Sequence, residues 1–252
     1  MFDLTGRVAI VTGGNGGIGL GMARGLAKAG ACVVVAARNT EKSKVAVSEL
    51  RSIGSDALAL PVDVLDERSV EALVGRTMSE RGRLDILVNN AGTNIRKSPQ
   101  DLALDEWRHI IDTNLTSAFL CSRAAYPQMK KLGRGKIINI GSMMSIFGLS
   151  FTSAYGASKG GMVQLTKSLA VAWAGDNIQV NAVLPGWIDT ELTRKGRENI
   201  PGLNERVLAR SPAGRWGHID ELAGVAVFLA SDASNFITGA AIPVDGGYSS
   251  LG

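Results

Sequence analysis

The stretch that decides the fold is residues 7–39, RVAIVTGGNGGIGLGMARGLAKAGACVVVAARN. It opens with the β-branched run RVAIVT and passes through a cluster of glycines. The next apolar residues, Ile18, Met22 and Leu26, recur at the spacing of one helix face, and a second apolar run, CVVVA, follows them. A strand, a glycine-rich turn, a helix and a second strand in this order predict a parallel β-α-β unit.

The same alternation continues along the chain and predicts a single α/β domain over residues 1–252. Further strands are predicted at residues 57–62, 84–88, 136–140, 178–184 and 241–244, and helices at 41–53, 66–80, 104–131, 153–174 and 218–230. Apolar strands separated by helices indicate a doubly wound parallel sheet of about seven strands, with helices on both faces. We expect the long helix to break near Asn114 or Pro127. The least regular segment, residues 190–215, is predicted to form a flexible flap over a site.

Composition narrows the possible classes of protein. The chain is 45% apolar and 20% charged with a net charge of +4, which is typical of a soluble globular protein. The densest basic run, residues 130–136, falls where a helix is predicted to end, so we predict no nucleic-acid partner. Cys32 and Cys121 are expected to be free thiols, and with only two histidines their spacing predicts no metal site. The chain shows no signal-like start and no apolar run of about 18 residues, so we expect a cytoplasmic protein without a membrane partner.

The glycine cluster, residues 12–19 (TGGNGGIG), is called here the phosphate loop. It satisfies G-x-G-x-x-G in one register and T-G-x-x-x-G-x-G in another. Such glycines allow a tight turn, let backbone N–H groups approach a pyrophosphate, and let the helix pack closely on the strand. A glycine turn without a ligand is the alternative. The cofactor-binding residues predicted here are Gly13, Asn15, Gly17, Ile18 and Gly19.

The end of the second strand bears on which dinucleotide binds. It reads Ala-Ala-Arg38-Asn39, without the carboxylate that usually binds a ribose 2′-hydroxyl. Arg38 could instead pair with a 2′-phosphate, or it could be a solvated arginine at a strand end. We therefore predict NADP(H), with NAD(H) as the alternative. Asp63 follows the third strand and is a candidate for binding the adenine amine, although it could simply be the acid of a helix N-terminus.

The segment SAYGASKGG, residues 153–161, offers two different chemistries. Tyr155 and Lys159 are four residues apart and project from one helix face, where an ammonium lowers the pKa of a phenol from its usual value of about 10. Tyr155 could then exchange a proton with an alcohol or a ketone. The same letters contain G-x-S-x-G around Ser158, the nucleophile turn of some hydrolases. The continued helical spacing after Ser158 favours the tyrosine.

The position of Ser142 supports the hypothesis that Tyr155 transfers the proton. It comes directly after the strand predicted at residues 136–140, at the strand end where ligands bind in parallel sheets. Ser142 is therefore placed to hydrogen-bond the reacting oxygen. A non-catalytic dinucleotide sensor is the remaining alternative, but a sensor would not need a serine, a tyrosine and a lysine in this arrangement.

Together these motifs closely resemble the classical short-chain dehydrogenases/reductases over essentially the whole chain. In addition to the phosphate loop, the segment NNAG, residues 89–92, and Asn114 match the family pattern. The resemblance implies that Ser142, Tyr155 and Lys159 are catalytic and that Asn114 organises a water linked to the lysine. The further cofactor-binding residues that it implies, or that line the same edge, are Asn39, Val64, Asn90, Ala91, Gly92, Tyr155, Lys159, Pro185, Gly186, Ile188 and Thr190.

The substrate is predicted from the loop after NNAG. Its residues Asn-Ile-Arg96-Lys resemble those of gluconate 5-dehydrogenases and deoxy-sugar-acid dehydrogenases, and Arg96 could pair with a carboxylate or lie at a surface. We predict a sugar acid or a related polyol–ketone pair, with Arg96, Met143 and Trp187 lining the pocket. A 3-oxoacyl thioester and a range of simple ketones are the alternatives. The resemblance also implies a homotetramer.

Overall fold

The computed structural model describes residues 1–251, without the side chain of Asn199. Seven strands form one parallel sheet in the order β3-β2-β1-β4-β5-β6-β7. The strands are β1 (Val8–Thr12), β2 (Cys32–Ala36), β3 (Leu58–Leu60), β4 (Ile86–Asn89), β5 (Gly135–Ile140), β6 (Ile178–Pro185) and β7 (Ala241–Val244). The predicted doubly wound sheet is confirmed.

Helices cover both faces of this sheet. They are α1 (Gly17–Lys28), α2 (Thr40–Ser52), α3 (Glu67–Arg81), α4 (Leu104–Ile111), α5 (Ser117–Leu132), α6 (Ser153–Trp173), α7 (Glu191–Asn199), α8 (Leu203–Arg210) and α9 (Ala223–Ala230). Successive residues of β1 point to opposite faces: Val11 packs with Met22 of α1, and Ile10 packs with Leu73 of α3 and Met129 of α5. The two resulting cores explain why the strands are apolar throughout.

The order of the strands places the site. The chain adds strands outward from β1 to β3, then returns so that β4 pairs with the other side of β1. Loops from these two strands diverge at their carboxyl ends and leave a crevice there, which is where doubly wound sheets bind ligands. The phosphate loop after β1 and the NNAG segment at the end of β4 therefore lie side by side.

The long helix predicted at residues 104–131 is broken at the first of the two expected places. Between α4 and α5 the helix widens into a π-turn, Asp112–Thr116, which contains Asn114. Pro127 lies inside α5 without ending it. Single π-turns inside helices often occur at functional sites.

The prediction that residues 190–215 are irregular is wrong, because α7 and α8 occupy most of this flap. Thr190 begins α7 by accepting a hydrogen bond from the Thr193 N–H at 3.3 Å. Gly202 separates the two helices with a φ of 68°, a conformation that glycine adopts without strain. Each helix has only eight or nine residues, which is too short for a clear periodic pattern in the sequence. The flexibility of the flap stays a prediction.

The other expectations on the chain are met in part. Cys32 and Cys121 are both free, but only Cys121 is fully buried. The basic run at residues 130–136 does span the end of α5 and the start of β5, as predicted. Among residues 1–251, the structure contains no helix whose length and apolar character would let it cross a membrane.

Lys136 in β5 makes stability depend on pH. Its side chain is 4% exposed, and its ammonium donates to Ser234 Oγ at 3.2 Å and Asn235 Oδ1 at 2.9 Å. Burial lowers the pKa of Lys136 to about 8. The unfolded chain therefore holds this proton more tightly between about pH 8 and pH 10.5, so the free energy of unfolding rises with pH in that window.

We expect Lys136→Met to reduce this rise, because methionine carries no proton. Urea unfolding between about pH 7.5 and pH 9.5 measures the effect, with Lys167→Met at an exposed position of α6 as the control. Equal pH slopes for wild type and Lys136→Met would contradict the assignment.

Candidate active site

A long cleft crosses the carboxyl ends of the strands. It consists of two adjoining cavities of about 450 Å³ and 390 Å³. Residues of the phosphate loop, of NNAG and of α2 border both cavities and make them one continuous groove. The residues shared by both are Gly13, Asn15, Lys42, Ala91, Gly92 and Thr93.

The phosphate loop is held against the end of β4 by Asn90. The Asn90 side-chain amide donates to the carbonyls of Thr12 at 3.0 Å and Gly13 at 3.2 Å. A Cβ on Gly13 would lie 2.9 Å from Asn90 Nδ2, and one on Gly19 only 2.4 Å. Of the residues predicted to bind the cofactor here, Gly13, Asn15, Gly17 and Ile18 border the larger cavity. Gly19 instead lies buried in α1, where its role is close packing on Asn90.

The smaller cavity fits the adenosine half of a dinucleotide. Four of the predicted residues, Arg38, Asn39, Asp63 and Val64, border it. Arg38 is exposed, and among residues 1–251 it forms no ion pair. Asn39 is the N-cap of α2 and accepts from the Lys42 N–H at 2.9 Å. Asp63 has one oxygen bound to the Leu65 N–H at 3.1 Å. This end of the cleft therefore offers a free guanidinium to an anion.

The sequence reasoning missed Lys42. Its ammonium lies over the phosphate loop, 3.0 Å from where a Cβ of Gly16 would be, and pairs with Glu191 of α7 at 3.2 Å. Lys42 borders both cavities, so it adds a second cation to the cleft. The sequence did offer a sign of this role, because Lys42 follows Arg38 by four residues at the start of α2, next to the predicted cofactor site.

Three predicted catalytic residues meet at the floor of the larger cavity. Ser142, Tyr155 and Lys159 all border it. The Lys159 ammonium donates a hydrogen bond to the carbonyl of Ile140, the last residue of β5, at 2.6 Å. Ser142 accepts from the Met144 N–H at 3.1 Å, which fixes its hydroxyl at the strand end. The sheet and the first turns of α6 thus bring together residues that are up to 17 positions apart.

The proton affinities in this cluster differ from the sequence expectation. Burial raises the pKa of Tyr155, while hydrogen bonding with Ser142 and the charge of Arg96 lower it to a smaller extent. Burial also lowers the pKa of Lys159 to about 8. The Lys159 ammonium is 5.7 Å from the centre of the Tyr155 ring. The cation that acts on the phenol in this structure is therefore Arg96, because Lys159 is drawn toward the Ile140 carbonyl.

The segment after β6 borders the larger cavity opposite the phosphate loop, through Pro185, Gly186, Ile188 and Thr190. The N–H of Gly186 donates to the Val244 carbonyl at 2.9 Å. A Cβ on Gly186 would lie 2.6 Å from the Cα of Asp245, so only glycine fits where β6 leaves the sheet.

Ser158 does not occupy a hydrolase elbow. It lies inside α6, is fully buried, and donates its hydroxyl to the Tyr155 carbonyl at 2.7 Å. The hydrolase mechanism requires a nucleophile exposed at a strand-to-helix turn. The interpretation of Ser158 as a nucleophile is therefore wrong.

Asn114 lies behind the catalytic cluster and is also fully buried. Its Nδ2 donates to Ser158 Oγ and to the Thr93 carbonyl, both at 3.0 Å, and its Oδ1 accepts from the Thr93 N–H at 2.7 Å. Both N–H groups of the side chain are thus engaged by protein. Its predicted link through water to Lys159 stays a prediction.

None of the three predicted substrate residues borders the larger or the smaller cavity. Arg96 is half-buried beside α7, and a Cβ on Gly196 would lie 3.1 Å from its Nη2. Trp187 is half-buried and packs edge-to-face on Trp216, with ring centres 5.5 Å apart. Met143 is only 2% exposed and packs in a small core with Leu184 and Tyr248, so its predicted place in the pocket lining is wrong.

Comparison with known proteins gives consistent matches over nearly the whole chain. Residues 13–249 match the family model described as enoyl-(acyl carrier protein) reductase. A 2-dehydro-3-deoxy-D-gluconate 5-dehydrogenase of Formosa agariphila is 39% identical over 98% of this chain and 94% of its own length. A cis-4-hydroxycyclohexanecarboxylate dehydrogenase of Sinomonas cyclohexanicum is 42% identical over 97% of both chains.

Solved structures agree with these matches. A short-chain type dehydrogenase/reductase from Mycobacterium marinum is 38% identical with a TM-score of 0.94, covering 98% of this chain and 97% of its own. A gluconate 5-dehydrogenase from Burkholderia cenocepacia, solved in complex with NADP and tartrate, is 40% identical with a TM-score of 0.94. That match covers 99% of this chain and 97% of the other.

Proposed function

This chain belongs to the short-chain dehydrogenase/reductase family, and we propose that it interconverts a secondary alcohol and a ketone of a sugar acid, or of a related hydroxy acid, with NADP(H). The observation that carries the proposal is the position of Tyr155. Tyr155 and Ser142 border the larger cavity together, and the charge of Arg96 acts on the phenol. A proton donor beside a cation suits a substrate that has both a carbonyl and a carboxylate.

The cleft fits NADP(H). Glycines 13 and 17 have positive φ angles of 63° and 53°, which turn the phosphate loop along the groove, and the opposite end presents Arg38 without a competing partner. Arg38 and Lys42 would hold phosphate groups, and Asp63 would bind the adenine amine. When bound, the nicotinamide donates or accepts the hydride. A solved relative is recorded with NADP, which supports this choice over NAD.

The residues of the chain supply the proton and hold the reacting oxygen. In reduction, the Ser142 hydroxyl holds the carbonyl oxygen, and Tyr155 Oη donates the proton that completes the alcohol as hydride reaches the carbon. The raised pKa of Tyr155 keeps the phenol protonated at neutral pH, ready for this donation. In oxidation the same phenolic oxygen accepts the proton. Lys159 would bind the ribose hydroxyls of the cofactor.

Arg96 is the residue that would make the site prefer a substrate with a carboxylate. Its guanidinium is half-buried, it has no carboxylate partner among residues 1–251, and burial lowers its pKa. A buried cation without a partner is costly, and an incoming carboxylate would remove that cost. The names of two relatives describe hydroxy acids, and one solved relative holds tartrate. These matches support a substrate that carries a carboxylate.

Arg96→Ala is expected to lower kcat/KM for the acidic substrate by about 10- to 100-fold, because a charge-assisted hydrogen-bonded pair contributes about 1.5–3 kcal/mol. The kcat/KM of Arg96→Lys should lie between those of wild type and Arg96→Ala, since lysine keeps the charge but cannot form a bidentate pair with the carboxylate. A neutral ketone should lose much less activity in Arg96→Ala, because it has no carboxylate for Arg96 to bind and is affected only through the charge on the Tyr155 phenol. Equal losses for acidic and neutral substrates would contradict the role of Arg96.

A substrate panel tests the function itself. NADPH oxidation should be faster with 5-ketogluconate and related keto acids than with an acetoacetyl thioester or an aryl ketone. Rapid thioester turnover without keto-acid turnover would favour the alternative of a 3-oxoacyl thioester reductase. Turnover of aryl ketones alone would indicate a broad carbonyl reductase.

We also propose that residues 1–252 form one domain, that the flap moves when ligands bind, and that the protein is a cytoplasmic homotetramer. Several large apolar side chains are exposed on the outer faces of the helices and near β7, namely Phe119, Val171 and Phe236. Association with further copies would cover them. Light scattering of the purified protein tests the oligomeric state.

A further inference from the structure

Ser158 and Asn114 form a buried chain of hydrogen bonds that connects two parts of the site. The chain runs from the Tyr155 carbonyl to Ser158 Oγ at 2.7 Å, then to Asn114 Nδ2 at 3.0 Å, and ends on the backbone of Thr93. Both side chains are 0% exposed. One end of this chain is the turn of α6 that carries the phenol, and the other is the start of the loop that carries Arg96.

The packing around these residues is close enough to make the connection stiff. A Cβ on Gly161 of α6 would lie 2.8 Å from Leu115 Cδ2 in the π-turn. Small residues at this interface let α6 approach the π-turn, so the short side chain of Ser158 reaches Asn114. A larger residue at position 158 could not occupy this space without moving one of the two helices.

The hydrogen bonds leave Ser158 and Asn114 little freedom to change partner. Asn114 uses both hydrogens of its amide, one on Ser158 and one on Thr93, and Ser158 uses its only hydrogen on Tyr155. Removal of the Ser158 hydroxyl would leave a buried N–H of Asn114 without an acceptor. Asn114 would then have to shift or admit water, and the Thr93 backbone that it holds would shift with it.

We propose that Ser158 is a positioning residue, which through Asn114 sets the distance between the Tyr155 phenol and the substrate loop, residues 93–97. Ser158 touches neither substrate nor cofactor, because it is fully buried on the side of α6 that packs against the π-turn. Its part in the reaction, which rests on the function proposed above, is to keep the proton donor aligned with a carbonyl whose carboxylate is held by Arg96. Misplacement of a donor by a fraction of an ångström slows proton transfer strongly.

Ser158→Ala is expected to lower kcat by about 10-fold, with KM and the dissociation constant of NADPH changed by less than about twofold. The matched control is Ser122→Ala. Ser122 of α5 is also 0% exposed and also accepts a hydrogen bond from an asparagine amide, Asn89 Nδ2, at 3.0 Å, but that amide is bound to Asn139 and not to Thr93 or the turn of α6 that carries Tyr155. Both variants should lose stability, and only Ser158→Ala should lose turnover. A similar kcat for the two variants would overturn the proposal.

A second variant separates the role of the pair from the loss of one hydroxyl. In an Asn114→Ala background, Ser158→Ala should lower kcat by less than about twofold further, because its partner is already gone. If the factors by which the two single substitutions lower kcat multiply in the double variant, Ser158 does not act through Asn114.

Amide hydrogen exchange tests the proposal without any substrate, so it remains informative even if the proposed function fails. The Thr93 N–H donates to Asn114, and Ser158→Ala should make it exchange several-fold faster while Ser122→Ala leaves it unchanged. Unchanged exchange at Thr93 in Ser158→Ala would overturn the connection. A wild-type protein that reduces none of the carbonyl substrates would overturn the proposed function alone.

Discussion

Tyr155→Phe is expected to lower kcat/KM for ketone reduction by about 10²- to 10⁴-fold, the range that a positioned proton donor contributes. The substitution removes one oxygen from a ring that borders the larger cavity and leaves its packing in place. Ser142 would still hold the carbonyl oxygen, but the developing alkoxide would have no acid to protonate it. The pKa of Tyr155 is raised by burial, so the wild-type phenol is the protonated form at neutral pH.

The control for this loss is Tyr126→Phe. Tyr126 stacks on Trp173 and donates to Asp176 at 2.8 Å, so Tyr126→Phe removes a hydrogen-bonded phenol that lies outside the cleft. Tyr126→Phe should keep its turnover. NADPH binding, followed by fluorescence, should be similar in both variants and in wild type. A Tyr155→Phe variant that keeps its turnover would require another proton donor.

Burial also changes the order in which Lys159 and Tyr155 lose their protons as the pH rises. The pKa of Lys159 is lowered to about 8, so its ammonium loses a proton above that pH, whereas the Tyr155 phenol loses its proton only at higher pH. Lys159 therefore loses its proton before Tyr155 does, whereas the sequence predicted a phenol whose pKa is lowered by the neighbouring ammonium. The reason is that the sequence gives the spacing of Tyr155 and Lys159 but not their burial, which dominates both shifts.

Much of the fold was predictable because it depends on patterns that are local in sequence. Each apolar strand from β1 to β6 is followed along the chain by a helix, and the phosphate loop combines its glycines with the strand and helix that its mechanism needs. The meeting of Ser142, Tyr155 and Lys159 was also predictable, because strand ends in a parallel sheet converge at one edge.

Other features depend on contacts between distant segments, and the sequence could not reveal them. The pairing of Lys42 with Glu191 joins positions 149 apart. The burial of Met143 results from Tyr248, far along the chain, packing in the same core. Ser158 showed an attractive local motif, yet its partner Asn114 is 44 positions away, and that contact decides what the hydroxyl does. Local patterns predicted the framework of the site but not these contacts.

Arg38→Ala is expected to weaken NADPH binding by about 10- to 100-fold and NADH binding by less than about twofold, because only NADPH carries the 2′-phosphate. Arg38 is exposed at the end of the cleft and forms no ion pair among residues 1–251, so the substitution should leave the fold intact. Lys42 should behave differently. It borders both cavities, so Lys42→Ala should weaken binding of the two dinucleotides by similar factors.

Arg76→Ala is the control for the change in net charge, since Arg76 is an exposed arginine of α3 outside the cleft. Titrations at two salt concentrations distinguish a direct contact from a long-range field. A direct pair with the 2′-phosphate keeps its preference for NADPH over NADH at high salt, whereas a general field is screened for both. Equal losses of NADPH and NADH affinity in Arg38→Ala would mean that Arg38 does not contact the 2′-phosphate, and the preference for NADP(H) would then need another cation at this end of the cleft.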